Sequence, residues 1–134
     1  GVDAIFSLIL NAMLEEVEKD KLPLSLIQID FWDTRKKRET VLSPEIWEGV
    51  MYALQKMIRN IDSVIPFQNN KVYIFSFNDK KLAKEIGDRI QVKLTQGGYV
   101  PKGTDVQCKT YSYPKEARTK EEFLRGCRQM IKED

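Results

Sequence analysis

An α/β sandwich with a mixed sheet is the fold class this sequence predicts, and three observations predict it. Stretches of helical period alternate along the chain with short runs of strand length. One of those runs is almost continuously apolar, as a strand covered on both faces has to be. Capping and turn residues stand where one pattern gives way to the next.

The elements follow in order. Phe6, Leu10, Met13, Leu14 and Val17 recur at helical spacing, which predicts an amphipathic helix from about Asp3 to Lys19. Pro23 ends the link, and Leu24–Trp32 reads as a central strand. Arg35-Lys36-Lys37-Arg38-Glu39 then forms a polar loop. Ser43-Pro44 opens a helix, with serine as N-cap and proline in the first turn. Its buried face is Ile46, Trp47, Val50, Met51, Leu54 and Ile58. Two strands, Ser63–Phe67 and Lys71–Phe77, flank Gln68-Asn69-Asn70, and asparagine's tolerance of left-handed backbone makes this a hairpin. Asp79 caps a helix running to Gln91 or beyond, with Leu82, Ile86 and Ile90 inward and Gly97-Gly98 after its end. Val106–Tyr113 is another strand. Thr119-Lys120-Glu121-Glu122 is a capping box before the last helix, whose inner face is Phe123, Leu124, Cys127, Met130 and Ile131. The order helix, strand-helix-strand-strand-helix-strand, helix gives a sheet that is ferredoxin-like at its centre, flanked by helices.

Composition bounds what the chain can do. Its 134 residues suit one domain with one buried core. With 22 basic and 20 acidic residues the net charge is +2, which predicts no nucleic-acid partner. The absence of histidine excludes histidine-dependent catalysis, and Cys108 and Cys127 lack a metal-ligand spacing. They read as small buried hydrophobes. No apolar run approaches the roughly 20 residues of a membrane span. The chain opens inside a helical pattern, so a domain excised from a longer, multidomain protein is expected.

Arg59-Asn60-Ile61-Asp62, then five residues, then Gln68-Asn69-Asn70-Lys71-Val72, carries the most specific pattern. It resembles the end of a bacterial GGDEF (diguanylate cyclase) domain, where an Arg-x-x-Asp pair sits at the same spacing before the Gly-Gly-Asp/Glu-Glu-Phe turn. Other elements echo that family. Asp3-Ala4-Ile5-Phe6-Ser7-Leu8 with Asn11 resembles its opening, Leu24–Asp30 its first strand, and Tyr113-Pro114 the Tyr-Pro after its last core strand. The likeness spans nearly the whole of residues 1–134 and implies a single, degenerate, five-stranded GGDEF-type sandwich.

The resemblance implies that the catalytic chemistry is lost. Asp30 corresponds to the metal-binding aspartate of the first strand, and it also suits a plain polar strand end. The acidic pair of the turn is replaced by Asn70 and Lys71, which puts an ammonium where a divalent cation is required. Gln68 and Asn69 stand in place of the glycines that let the turn approach a triphosphate. Ser43-Pro44 replaces a Gly-Asp at the helix start. No catalytic residue, no metal ligand and no required cofactor are therefore expected.

The family's inhibitory site is better kept. The resemblance assigns Arg59, Asp62 and Arg89 (in Gly87-Asp88-Arg89-Ile90-Gln91) to binding of cyclic di-GMP. A guanidinium presents a planar fork to guanine or phosphate, and a carboxylate accepts from the guanine edge. A non-catalytic cyclic di-GMP receptor is the first reading, its ligand regulating neighbouring domains or a partner protein, with dimerisation left open. The alternative is a ligand-free interaction or dimerisation module, in which Arg59 and Asp62 form a surface ion pair. The resemblance places either in the bacterial cytoplasm, as a free protein or as the cytoplasmic part of a membrane-anchored one. The basic loop 35–38, with Trp32 beside it, reads as a solvated loop.

Overall fold

The computed structural model describes residues 2–20, 22–58 and 62–132. The elements are α1 (Val2–Asp20), β1 (Leu24–Asp33), β2 (Arg38–Glu39), α2 (Pro44–Met57), β3 (Ser63–Phe67), β4 (Lys71–Ser76), α3 (Lys80–Gln96), β5 (Thr104–Tyr113) and α4 (Lys120–Lys132). Each predicted element is present, and the helix starts are made by the capping residues expected. Ser43 Oγ accepts from the Ile46 amide at 3.3 Å, and Asp79 Oδ1 from the Leu82 amide at 2.8 Å. Thr119 Oγ1 accepts from the Glu122 amide, while the returning Glu122 carboxylate takes the amide of Arg118, one residue earlier than in a regular capping box.

The sheet has five strands, and it is antiparallel at every pairing among the described residues, where a mixed sheet was expected. β1 lies between β4 and β5, and β3 pairs with β4 on the outside. The crossover through α2 makes β1 parallel to β3, but β4 sits between them. The crossover through α3 makes β4 parallel to β5, but β1 sits between those. Parallel strands are thus never neighbours, which is the ferredoxin-like order. The fifth strand is β2, drawn from the predicted loop. β4 pairs with β1 through Asp30, and β2 takes up the same edge at Trp32 and Asp33.

The pleat of β1 sorts two cores. Ile27, Ile29 and Phe31 pack with Val72 and Ile74 under α2 and α3. Leu24 and Leu26 pack with Tyr73 and Phe75 under α1 and α4, where Phe6 meets both rings edge-on at 5.1 Å. Leu82 faces solvent, not the core: the buried stripe of α3 is Ala83, Gly87, Ile90 and Leu94, and Leu82 lies one residue off it. Gly87 brings α3 hard against β5, where an added Cβ would come within 3.3 Å of the Cys108 Cβ.

Candidate functional site

The β3–β4 hairpin turns through Gln68 (φ 51°) and Asn69 (φ 56°), closed by the Asn70 amide on the Phe67 carbonyl at 3.1 Å. Two successive left-handed residues define the tight hairpin turn that matches strand twist, here built without glycine. The Asn69 carbonyl accepts from the Leu42 amide at 2.9 Å, which ties the turn to the segment entering α2. Asn70 Oδ1 is buried with no hydrogen-bond partner among the described residues.

Immediately after the turn, register decides the chemistry. Lys71 stands directly opposite Asp30, so their side chains leave the same face of the sheet. Lys71 is 1% exposed and Asp30 3%. The ammonium donates to Asp30 Oδ1 at 3.0 Å and to Glu39 Oε1 at 2.6 Å. Gln28, two residues before Asp30 on that face, donates its amide to both Asp30 oxygens at 3.1 Å. Glu39 reaches the cluster because it pairs with Trp32, next to Asp30 on the shared face. Sequence reasoning missed Glu39, whose place depends on a two-residue strand that carries no pattern of its own.

A divalent cation, which the resemblance implies at Asp30, does not fit these residues. A hard cation on this carboxylate would lie about 2.0–2.6 Å from its oxygens. The ammonium already fills that space, and the adjacent same-face group is a neutral amide donor. No group of three histidine, cysteine or carboxylate residues converges among the described residues.

The three residues assigned to nucleotide binding fall differently. Arg59 lies outside the described residues. Asp62 is partly buried at the entrance to β3. Arg89 is exposed on α3 and lines a cleft of about 420 Å³ with Asp88, Val92, Lys93 and Met57, the last residue of α2. The structure therefore sets Arg89 against the end of the helix that leads into the Arg-x-x-Asp segment, and Asp62 is not among the lining residues.

Other candidate groups are quiet. Arg35, Lys36, Lys37 and Arg38 are exposed, and the Asp33 carboxylate organises their loop by accepting from the amides of Arg35 and Lys36. The Lys36 hydrogen bond leads the effects that hold the Asp33 carboxyl below its ordinary value. Desolvation pushes the Cys108 thiol up to about 12, and desolvation raises Cys127 as well. Both are thiols in the fold, not thiolates.

No family model matches the sequence, and no curated protein matches it. Solved structures do match. The GGDEF domain of YfiN (TpbB) from Pseudomonas aeruginosa superposes with a TM-score of 0.69 at 15% identity, over 91% of this chain and 76% of that one. A DGC protein from Thermotoga maritima gives 0.64 at 16%, over 94% and 91%. The GGDEF domain of DgcB from Caulobacter crescentus, in complex with c-di-GMP, gives 0.65 at 9%, over 90% and 76%. The chain has the fold of a GGDEF domain. At these identities the likeness is one of fold, and the side chains of this chain carry the rest. Among the described residues no helix is long and apolar enough to cross a membrane.

Proposed function

We propose that this domain is a non-catalytic receptor for cyclic di-GMP, held by Arg59, Asp62 and Arg89, the last of which lines the cleft between α2 and α3. The observation that carries the reading is the position of Arg89, exposed and facing the end of α2 across an open cleft. In the sequence Arg59 follows Met57 by two residues. Two guanidinium forks and a carboxylate suit a doubly anionic ligand with guanine edges. That a domain of this fold is known in complex with c-di-GMP supports the ligand class. The Lys71–Asp30 pair supports the non-catalytic reading, because two-metal phosphoryl transfer needs carboxylates free to take divalent cations. Binding would act on neighbouring domains of a longer signalling protein or on a partner in the bacterial cytoplasm.

Calorimetric titration of cyclic di-GMP into the domain tests this, with Arg59→Ala and Arg89→Ala alongside. Saturable binding weakened at least tenfold by either substitution is expected. Absence of binding to the unsubstituted domain would leave the protein-interaction module as the reading. Turnover of GTP with magnesium would refute the non-catalytic assignment.

A further inference from the structure

We propose that β5 is the docking edge for a second copy of this chain, the two β5 strands pairing antiparallel about a two-fold axis at Gln107. The inference does not rest on cyclic di-GMP binding, since no residue lining the α2–α3 cleft belongs to β5.

The two long edges of the sheet differ in what they offer. β3 is five residues long and carries an exposed proline, Pro66, which blunts an edge because it cannot donate. β5 runs for ten residues without proline, and it pairs only with β1 among the described residues. Its phase can be read from its ends. The Thr104 amide donates to the Pro101 carbonyl, and the Ser112 carbonyl accepts from the amides of Glu116 and Ala117, all outside the sheet. In an antiparallel ladder each residue turns its amide and carbonyl toward the same neighbour, and successive residues alternate. Val106, Cys108 and Thr110 are in phase with Thr104 and Ser112, so their backbone groups point away from β1. No backbone partner meets them among the described residues.

The side chains select the occupant. Asp105, Gln107 and Lys109 are exposed on the α1–α4 face, while α4 packs farther along, where Phe123 meets Tyr111 and Tyr113. A lone lysine on an edge guards against pairing. Here an aspartate stands four residues before it, and that spacing makes the strand its own complement. With Gln107 on the axis, Asp105 of each copy lies directly opposite Lys109 of the other. The same register sets Val106 opposite Cys108 and Thr104 opposite Thr110, so outward backbone groups meet outward backbone groups. Asp105 and Lys109 then fall at the pairs without mutual hydrogen bonds, where facing side chains come closest. Sliding one strand by two residues keeps the backbone in phase but sets Lys109 opposite Gln107 or Gly103, and the charge pairing is lost. A two-fold contact uses the same patch on both copies and closes, so it yields a dimer and not a fibre.

The test is sedimentation equilibrium over a concentration series, without nucleotide. The proteins are the unsubstituted domain, Asp105→Lys, Lys109→Asp and Asp105→Lys/Lys109→Asp. Both positions are exposed, so each variant should stay folded, which thermal melting checks. The unsubstituted domain should show a concentration-dependent dimer. Each single reversal sets like charges opposite each other on both sides of the axis and should raise the dissociation constant about tenfold. The double reversal restores opposite charges and should return the constant to within about threefold of the original. Amide hydrogen exchange on the unsubstituted domain needs no variant: Val106, Cys108 and Thr110 should exchange more slowly as concentration rises. A monomer up to about 1 mM would overturn the inference. So would a dimer indifferent to the single reversals, a double reversal that stays dissociated, or exchange at those amides that ignores concentration.

Discussion

The two faces of the sheet handle charge in opposite ways. Under α1 and α4, a lysine and an aspartate are taken out of water and closed against each other, with a glutamate at the rim. Under α2 and α3, the packed layer is apolar, and the charged groups of α3 stay outside, where Asp88, Arg89 and Lys93 border an open cleft. A buried pair is satisfied by its own partners and has no capacity left for a ligand. An exposed guanidinium beside a cleft has that capacity. The Asp30 carboxylate beside the hairpin is therefore closed against Lys71, and the α3 surface on the other side remains open.

The largest effect should come from breaking the closed side. Lys71→Met leaves the buried Asp30 carboxylate without its ammonium partner, and loss of about 3–5 kcal/mol in denaturant unfolding is expected. A loss below about 1 kcal/mol would place the pair at the surface energetically and remove the contrast between the faces. Next in size is Gly126→Ala on α4. A Cβ there would run into the ring of Tyr111, which lies stacked on Phe123 at 5.4 Å. About 1–3 kcal/mol of overpacking cost is expected, read as a lowered denaturation midpoint.

A smaller and pH-dependent effect should appear on the α3 side, where Cys108 is packed against Gly87. Its thiol is pushed up to about 12 by desolvation, with the Asp30 and Asp88 charges adding to it, above the roughly 8.5 of a free cysteine. The folded state holds this proton longer than the unfolded state does. The thiol's contribution to stability is thus complete below about pH 8.5 and declines as pH rises toward 12. In practice Cys108 should react slowly with a thiol reagent at pH 8 in the native protein and at the rate of a free cysteine in urea. Fast native reaction would show that β5 separates from α3.

How much of this was legible in the sequence depends on the range of the interaction. Caps and strand runs are local, so Ser43, Asp79, Thr119 and the β1 segment could be read directly. Leu82 misled because one apolar residue beside a stripe fits either side of it, and only packing of Gly87 on β5 fixes the helix rotation. The sheet's antiparallel pairing depends on which strand slots between two others, and local patterns do not encode that. At the hairpin, the replacement of acidic residues by Asn70 and Lys71 was plain, but Glu39 was not. Its role comes from cross-strand register, thirty-two residues away from Lys71. Arg89 was singled out only by the resemblance, and its exposure beside Met57 came from the fold.

The measurement that bears most directly on the contrast is calorimetric titration of cyclic di-GMP, without divalent ions, into the unsubstituted domain and into Arg89→Ala. Arg89 is exposed, so its replacement should change stability by no more than about 0.5 kcal/mol and leave a folded protein for comparison. Saturable binding that Arg89→Ala weakens at least tenfold, about 1.4 kcal/mol, is the predicted result. Equal binding by both proteins, or binding by neither, would contradict a receptor site at the α2–α3 cleft.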